Sequence, residues 1–168
     1  MVKVEDLERI AVFKKFPPHL LERVAAEAQL SIYGTGTRLF SVGEPVDTFY
    51  MIIMGQVSLT VALNPDVDVI LDNLQSGASF GNSAFFAKGT AAYSAECQEP
   101  CEVITLGGEG MRALFKEDHE LGYRFMNGVA LQLKQEMDNR AQMIMNTLGQ
   151  YPELKDRIND IEALIPVY

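Results

Sequence analysis

Few side chains in this sequence could carry covalent or acid–base chemistry. The two histidines, His19 and His119, lie far apart in segments of helical pattern. Neither is accompanied by the serine, aspartate or cysteine partners that a nucleophilic triad requires. Cys97 and Cys101, in "CQEPC", share a face of an extended segment by parity, although Pro100 interrupts that register. No third or fourth ligand lies near them, so two buried thiols packing as small apolar groups are expected in place of a metal or redox pair. An enzyme is not expected from this inventory.

One stretch has the makings of a binding site. Residues 79–90 read "SFGNSAFFAKGT" and follow a strand-like run, "VDVILDNL", and a turn signal at Ser76 and Gly77. A glycine after a strand lets the backbone approach a phosphate, and a helix opening there turns free N–H groups toward it. Lys88 is the one cation of the stretch, and a loop lysine is ordinarily solvated.

Composition narrows the ligand classes. The chain has 168 residues, 48% of them hydrophobic, and a formal net charge of -9. Its length suits one domain with helical extensions. A field of that sign repels polyanions unless basic residues gather on one face, and Lys14–Lys15 is the only adjacent basic pair. Direct nucleic-acid binding is therefore not expected. No apolar run approaches the roughly eighteen residues of a membrane span, and "MVKVEDLERI" lacks the apolar core of a signal peptide, so a cytoplasmic location without membrane contact is expected.

The elements that would position such a site follow from periodicity. Residues 1–31 read as helices: in "PPHLLERVAAEAQL" the prolines open the segment, and Leu20, Leu21, Val24, Ala25 and Ala28 make an apolar face. Residues 32–108 break into short β-rich runs, "RLFSV", "TFYMIIM", "QVSLTVAL", "VDVILDNL", "AAYSAEC" and "CEVITL". Runs of this length and spacing predict a mainly β domain, an antiparallel sandwich or barrel. Gly55, between two of them, marks a tight turn that needs positive φ. Residues 109–148 return to helix, with a short piece at "GMRALFKED" and then one long helix from about His119 to Leu148.

On that long helix Leu121, Phe125 and Val129 would cover the β core. Ala130, Leu133, Met137, Ala141, Ile144 and Leu148 continue at steps of three and four. A helix of about thirty residues spans roughly 45 Å, more than a small β domain can cover. The second stripe therefore calls for a second copy of the chain, a homodimer, or else for cover by the tail of residues 149–168 through Leu154, Ile158, Ile161 and Leu164.

The order helix, glycine-punctuated β-roll, long helix meets specific residues. "GTRLFSVGEPVDTFYMIIMGQVSL" resembles the opening of the cyclic-nucleotide-binding domain family through Gly36, Gly43, Glu44, Tyr50, Gly55 and Val57. "LQSGASFG" continues the likeness through Leu74, Gly77, Phe80 and Gly81, and "CEVITL" resembles the strand that leaves the binding cassette. The resemblance covers roughly residues 7–148. It implies a jelly roll of cupin-like architecture, followed by a helix similar to the dimer helix of Crp/Fnr regulators.

In that family the stretch opened above is the phosphate-binding cassette. The resemblance places Gly81, Asn82, Ser83, Ala84, Lys88, Ala91 and Ala92 in the ligand-binding cassette, with Gly81 and the backbone N–H groups after it facing the phosphate, Asn82 able to accept one hydrogen bond and Lys88 the only charge. Two family features are absent: the glutamate after the glycine is Asn82, and the phosphate-pairing arginine is Ala91. A charge-assisted hydrogen bond is worth about 1.5–3 kcal/mol, so losing both weakens a cyclic nucleotide by roughly two to four powers of ten.

Phe85, Phe86 and Tyr93 add bulk around these positions and either fill the pocket, suit a flat apolar ligand or belong to the core. The implied function is a regulatory module without cofactor, open to a small-molecule effector or a protein partner. The alternatives are an atypical cAMP or cGMP binder and the effector half of a Crp/Fnr-type regulator, whose helix-turn-helix domain would need more than the twenty or so residues after Leu148. A cupin-type metal enzyme fits poorly, because the β region holds no histidine.

Overall fold

A computed structural model of the chain describes residues 2–64, 67–86 and 89–151. The chain divides into two compact units, residues 1–129 and 130–168.

The first unit begins with α1 (Val4–Glu8), a short 3₁₀ turn (Ala11–Phe13) and α2 (Pro18–Glu27). Pro17 and Pro18 start α2 as the sequence predicts, and Leu20, Leu21 and Val24 are its buried face. The helix stops four residues short of the predicted limit. Ala28 is already extended, and β1 (Gln29–Tyr33) begins inside the segment read as helical. Its register against Cys101–Thr105 supplies the backbone partners that override the helical pattern of "AEAQL".

Seven further strands follow: β2 (Arg38–Phe40), β3 (Thr48–Met54), β4 (Val57–Asn64), β5 (Val67–Leu74), β6 (Ser79–Phe80), β7 (Ser94–Cys97) and β8 (Cys101–Gly107). They form two antiparallel four-stranded sheets, β1-β8-β3-β6 and β2-β7-β4-β5. This is the jelly-roll arrangement the sequence predicts. Gly55, at φ +99°, makes the β3–β4 turn and sits against Cys101, where a Cβ would fall 2.6 Å from Sγ.

The continuous apolar run "TFYMIIM" is explained by burial on both faces of its sheet. On β3, Phe49 and Met51 join a cluster with Leu7, Ile10, Phe13, Leu21, Phe125 and Val129 on the helical side. Tyr50 and Ile52 turn the other way, into the roll, with Phe40, Val57, Leu59, Phe80 and Val103. On β8 Ile104 and Leu106 face the helices, while Cys101 and Val103 face the roll.

After β8 come α3 (Gly108–Glu117) and α4 (His119–Gln150). Within the first unit α4 buries Leu121, Phe125 and Val129, the residues predicted to cover the β core. Gly128 abuts the Val12 carbonyl so closely that no Cβ would fit. Asp118, before the first turn of α4, accepts a hydrogen bond from the Leu121 N–H at 3.0 Å.

In the second unit α4 continues from Ala130 to Gln150, and none of these residues is buried. The tail residues Leu154, Ile158, Ile161 and Leu164 lie outside the described residues.

Candidate functional site

The cassette begins where β6 ends. Gly81 adopts φ +83°, ψ +28°, a left-handed conformation that only glycine takes without strain. A Cβ there would stand 2.6 Å from the Thr48 carbonyl and 3.2 Å from the Tyr50 ring, so glycine is required for space as well. A 3₁₀ turn, Asn82–Phe85, follows directly, and the Ala84 N–H bonds back to the Gly81 carbonyl at 3.0 Å.

Residues 89–91 are held by several contacts. Ser83 Oγ donates to the Thr90 carbonyl at 3.1 Å, and Gly89 passes so close to the Ser83 carbonyl that a Cβ would collide with it. On the other side, Ala91 N–H donates to the Glu44 carbonyl and Gly43 N–H donates to the Ala91 carbonyl, both at 2.8 Å. Glu44 of the Gly-Glu pair spends its carboxylate on the neighbouring turn, where Oε2 accepts from Ser41 N–H at 2.8 Å.

These bonds fix where position 91 points. Ala91 is 6% exposed and belongs to the roll cluster with Phe40, Val46, Ala84 and Ala95. The surroundings of Ala91 are therefore apolar. Asn82 is half-buried, and its Oδ1 is the one fully buried side-chain polar atom among the described residues that has no hydrogen-bond partner. Ser83 is half-buried and Ala92 exposed, while Lys88 lies outside the described residues.

The three aromatic residues divide among the alternatives the sequence left open, with Phe85 and Tyr93 in the core and Phe86 outside it. Phe85 does not enter the roll. It points to the helical side, with ring centroids 5.0 Å from both Phe49 and Phe125 and 6.3 Å from Phe115. Phe86 is exposed. Of the three residues suspected of filling the pocket, Tyr93 alone packs in the roll, 5.8 Å from Phe40.

The interior is occupied instead by Phe40, Tyr50 and Phe80. Tyr50 stacks on Phe80 at 5.0 Å and 8°, and Phe40 sits 5.9 Å and 6.1 Å from the two. Parity along β3 already sends Tyr50 to the face opposite Phe49. Nothing comparable marks Phe40, on a strand of three residues. Burial, with Tyr33 close by, pushes the Tyr50 phenol above its ordinary range, so it stays neutral.

A helical clamp holds the cassette from outside. Arg112 Nη1 donates to the Ala84 carbonyl at 2.6 Å, and Gly108 lies against the same carbonyl with no room for a side chain. The turn thus has an arginine beside its carbonyl end.

The family profile of the cyclic nucleotide-binding domain matches residues 31–118, more than half of the chain. The chain belongs to this family. It is 22% identical over 140 residues to a CRP-like cAMP-activated global transcriptional regulator of Mycobacterium tuberculosis, covering 83% of this chain and 62% of the relative. The chain thus spans under two thirds of that relative's length.

The N-terminal domain of a transcriptional regulator from Streptomyces coelicolor superposes with a TM-score of 0.67 at 20% identity, covering 80% of this chain and 94% of that one. The regulatory domain of Toxoplasma gondii PKA, solved with cAMP, gives 0.63 at 20% identity, covering 81% of this chain and 48% of that one. At such identities the two structures establish the shared fold. The jelly roll with flanking helices and a long C-terminal helix is the family architecture, and the sequence resemblance to it holds.

Among the described residues no group of three or more histidine, cysteine or acidic side chains could hold a metal ion. No described helix is long and apolar enough to cross a membrane. The cysteines are free, and both are buried where the two sheets meet. Burial and the Cys101 thiol beside it push the Cys97 thiol up to about 12, which keeps it protonated and unreactive.

Proposed function

We propose that this chain is a non-enzymatic regulatory module of the cyclic nucleotide-binding type. In this reading it keeps the family fold, self-associates through α4 and does not hold a cyclic nucleotide at micromolar concentration. The observation that carries the reading is Ala91, anchored by two backbone bonds and buried among apolar side chains where the phosphate's counter-charge would stand. An anion there would lose its hydration without a compensating cation, a cost of several kcal/mol.

The aromatic filling of the roll by Phe40, Tyr50 and Phe80 supports the same conclusion. Isothermal titration with cAMP and cGMP tests it. No saturable heat up to about 100 μM is expected, and a dissociation constant at or below 10 μM for either nucleotide overturns it.

Self-association is supported by the exposure of Leu133, Met137 and Ile144, at 37%, 70% and 60%, along a single stripe of α4. Light scattering should give twice the chain mass, and Met137→Asp with Ile144→Asp should return it to a monomer.

A second reading, binding of an atypical ligand, is favoured by Asn82. A buried acceptor without a donor costs about 1–3 kcal/mol, and a ligand hydroxyl or N–H would relieve it. An assignment to the effector part of a longer transcriptional regulator is a third, suggested by relatives such as the Mycobacterium tuberculosis protein and not by the geometry of the site.

A further inference from the structure

The stripe on α4 has a repeat of its own. Ala130, Leu133 and Met137 recur eleven residues later as Ala141, Ile144 and Leu148, and in sequence Met126 precedes Met137 by the same interval. Eleven residues make three turns at about 3.67 residues per turn, close to the natural 3.6, whereas a heptad drifts by about 20° the other way. A seam of this period runs nearly straight along the helix. In a heptad seam through Ala130, Leu133 and Met137 the next positions would be Arg140, Ile144 and Thr147. In the eleven-residue seam they are Ala141, Ile144 and Leu148.

Resting on the reading of α4 as a self-association helix, we propose that a second copy of this chain packs along an eleven-residue-repeat seam, with Ala141 and Leu148 in contact and Arg140 and Thr147 outside it. Two small alanines separated by larger Leu, Met and Ile side chains make the surface self-complementary, because a large residue of one helix can rest over an alanine of the other.

The charges of the segment agree with a second copy as the occupant. The whole chain carries -9, but residues 130–150 hold only Lys134, Glu136, Asp138 and Arg140, which cancel. They pair within the helix, Lys134 with Asp138 and Arg140 with Glu136 at 4.0 Å. At 100° per residue the first pair flanks one side of the seam and the second pair the other, so both borders are neutral. Two copies can meet here without the repulsion that the rest of the surface imposes.

The opposite face is mainly amide, with Met143 an exposed large apolar side chain on it. Gln132, Gln135, Asn139, Gln142 and Asn146 lie along it, and Gln135→Asn139 and Gln142→Asn146 hydrogen bonds of 2.9 Å close within the helix.

Single cysteines introduced at exposed positions distinguish the seams whatever the relative direction of the helices. Arg140→Cys, Ala141→Cys, Thr147→Cys and Leu148→Cys are labelled with a maleimide at protein concentrations above and below dimer dissociation. Wild type is the blank, since both native thiols are buried. Labelling at 141 and 148 should slow at least tenfold in the dimer, while 140 and 147 change by less than twofold.

Protection at 140 and 147 in a light-scattering dimer overturns the eleven-residue seam and leaves self-association standing. Protection at Asn139→Cys or Gln142→Cys in place of 141 and 148 overturns it too, by moving the contact to the amide face. A monomeric mass at every concentration overturns the self-association reading itself.

Discussion

Arg112 reaches from α3 to the Ala84 carbonyl, 2.6 Å from Nη1, and so ties the helices after the roll to the turn that opens the cassette. The carbonyl is one that the short 3₁₀ turn leaves unpaired at its end, and a guanidinium is a strong donor to it. Arg112→Gln should cost about 1–2 kcal/mol by chemical denaturation. Hydrogen exchange should rise first at Gly81–Phe86. An unchanged exchange rate there would show that Gly108, against the same carbonyl, clamps the turn alone.

Gly81 and Gly36 have nearly the same backbone, φ +83° and +76°, but different surroundings. A Cβ at Gly36 meets nothing within 4 Å, whereas one at Gly81 falls 2.6 Å from the Thr48 carbonyl. Gly36→Ala should therefore cost only the left-handed penalty, about 1–2 kcal/mol, and Gly81→Ala at least about 1 kcal/mol more. Thermal unfolding of the two variants side by side measures the difference. Equal losses would mean that Gly81 serves the turn by conformation alone.

How far the sequence could be read depended on which regularity each segment carries. The strands of the roll and the start of α4 were legible because burial imposes a period, two for Phe49 and Met51 against Tyr50 and Ile52, three to four for Leu121, Phe125 and Val129. The start of β1 was not, since "AEAQL" reads equally well as helix and only pairing with Cys101–Thr105 decides it. The cassette was legible as a backbone shape through its glycine. Its side-chain environment was not, because residues from four separate elements meet there. Phe85 is the instructive case, since neighbouring aromatic residues in sequence, Phe85 and Phe86, have opposite fates: one is locked against Phe125 and the other exposed.

Cys97 makes stability depend on alkaline pH. Its folded pKa, about 12, lies above the ordinary thiol value of 9.0, so the neutral thiol favours the folded state. That contribution is complete below about pH 9 and is lost as pH rises toward 12, because the unfolded chain can ionise and the folded one cannot. Denaturant midpoints between pH 8 and 11 should fall more steeply for wild type than for Cys97→Ala. Thiol titration with an aromatic disulfide at pH 8 should find neither cysteine reactive until the protein unfolds.

Asp118 gives the opposite dependence at the acid end. Its carboxylate accepts the Leu121 N–H that opens α4 and also meets Arg23 Nη1 at 2.6 Å, and the cap contact and then the ion pair hold its pKa below the ordinary carboxylate range. A depressed folded pKa stabilises the protein above the unfolded value of about 3.8, and the contribution disappears as pH falls through the lower folded value. Asp118→Asn separates the two contacts, because asparagine caps a helix about as well as aspartate but neither titrates nor pairs with Arg23. The variant should be less stable than wild type at pH 7, with the gap closing below about pH 4 as wild type loses its charge. Denaturation midpoints measured from pH 7 to pH 3 test this, and a gap of constant size would assign the effect to the cap geometry and not to the ion pair.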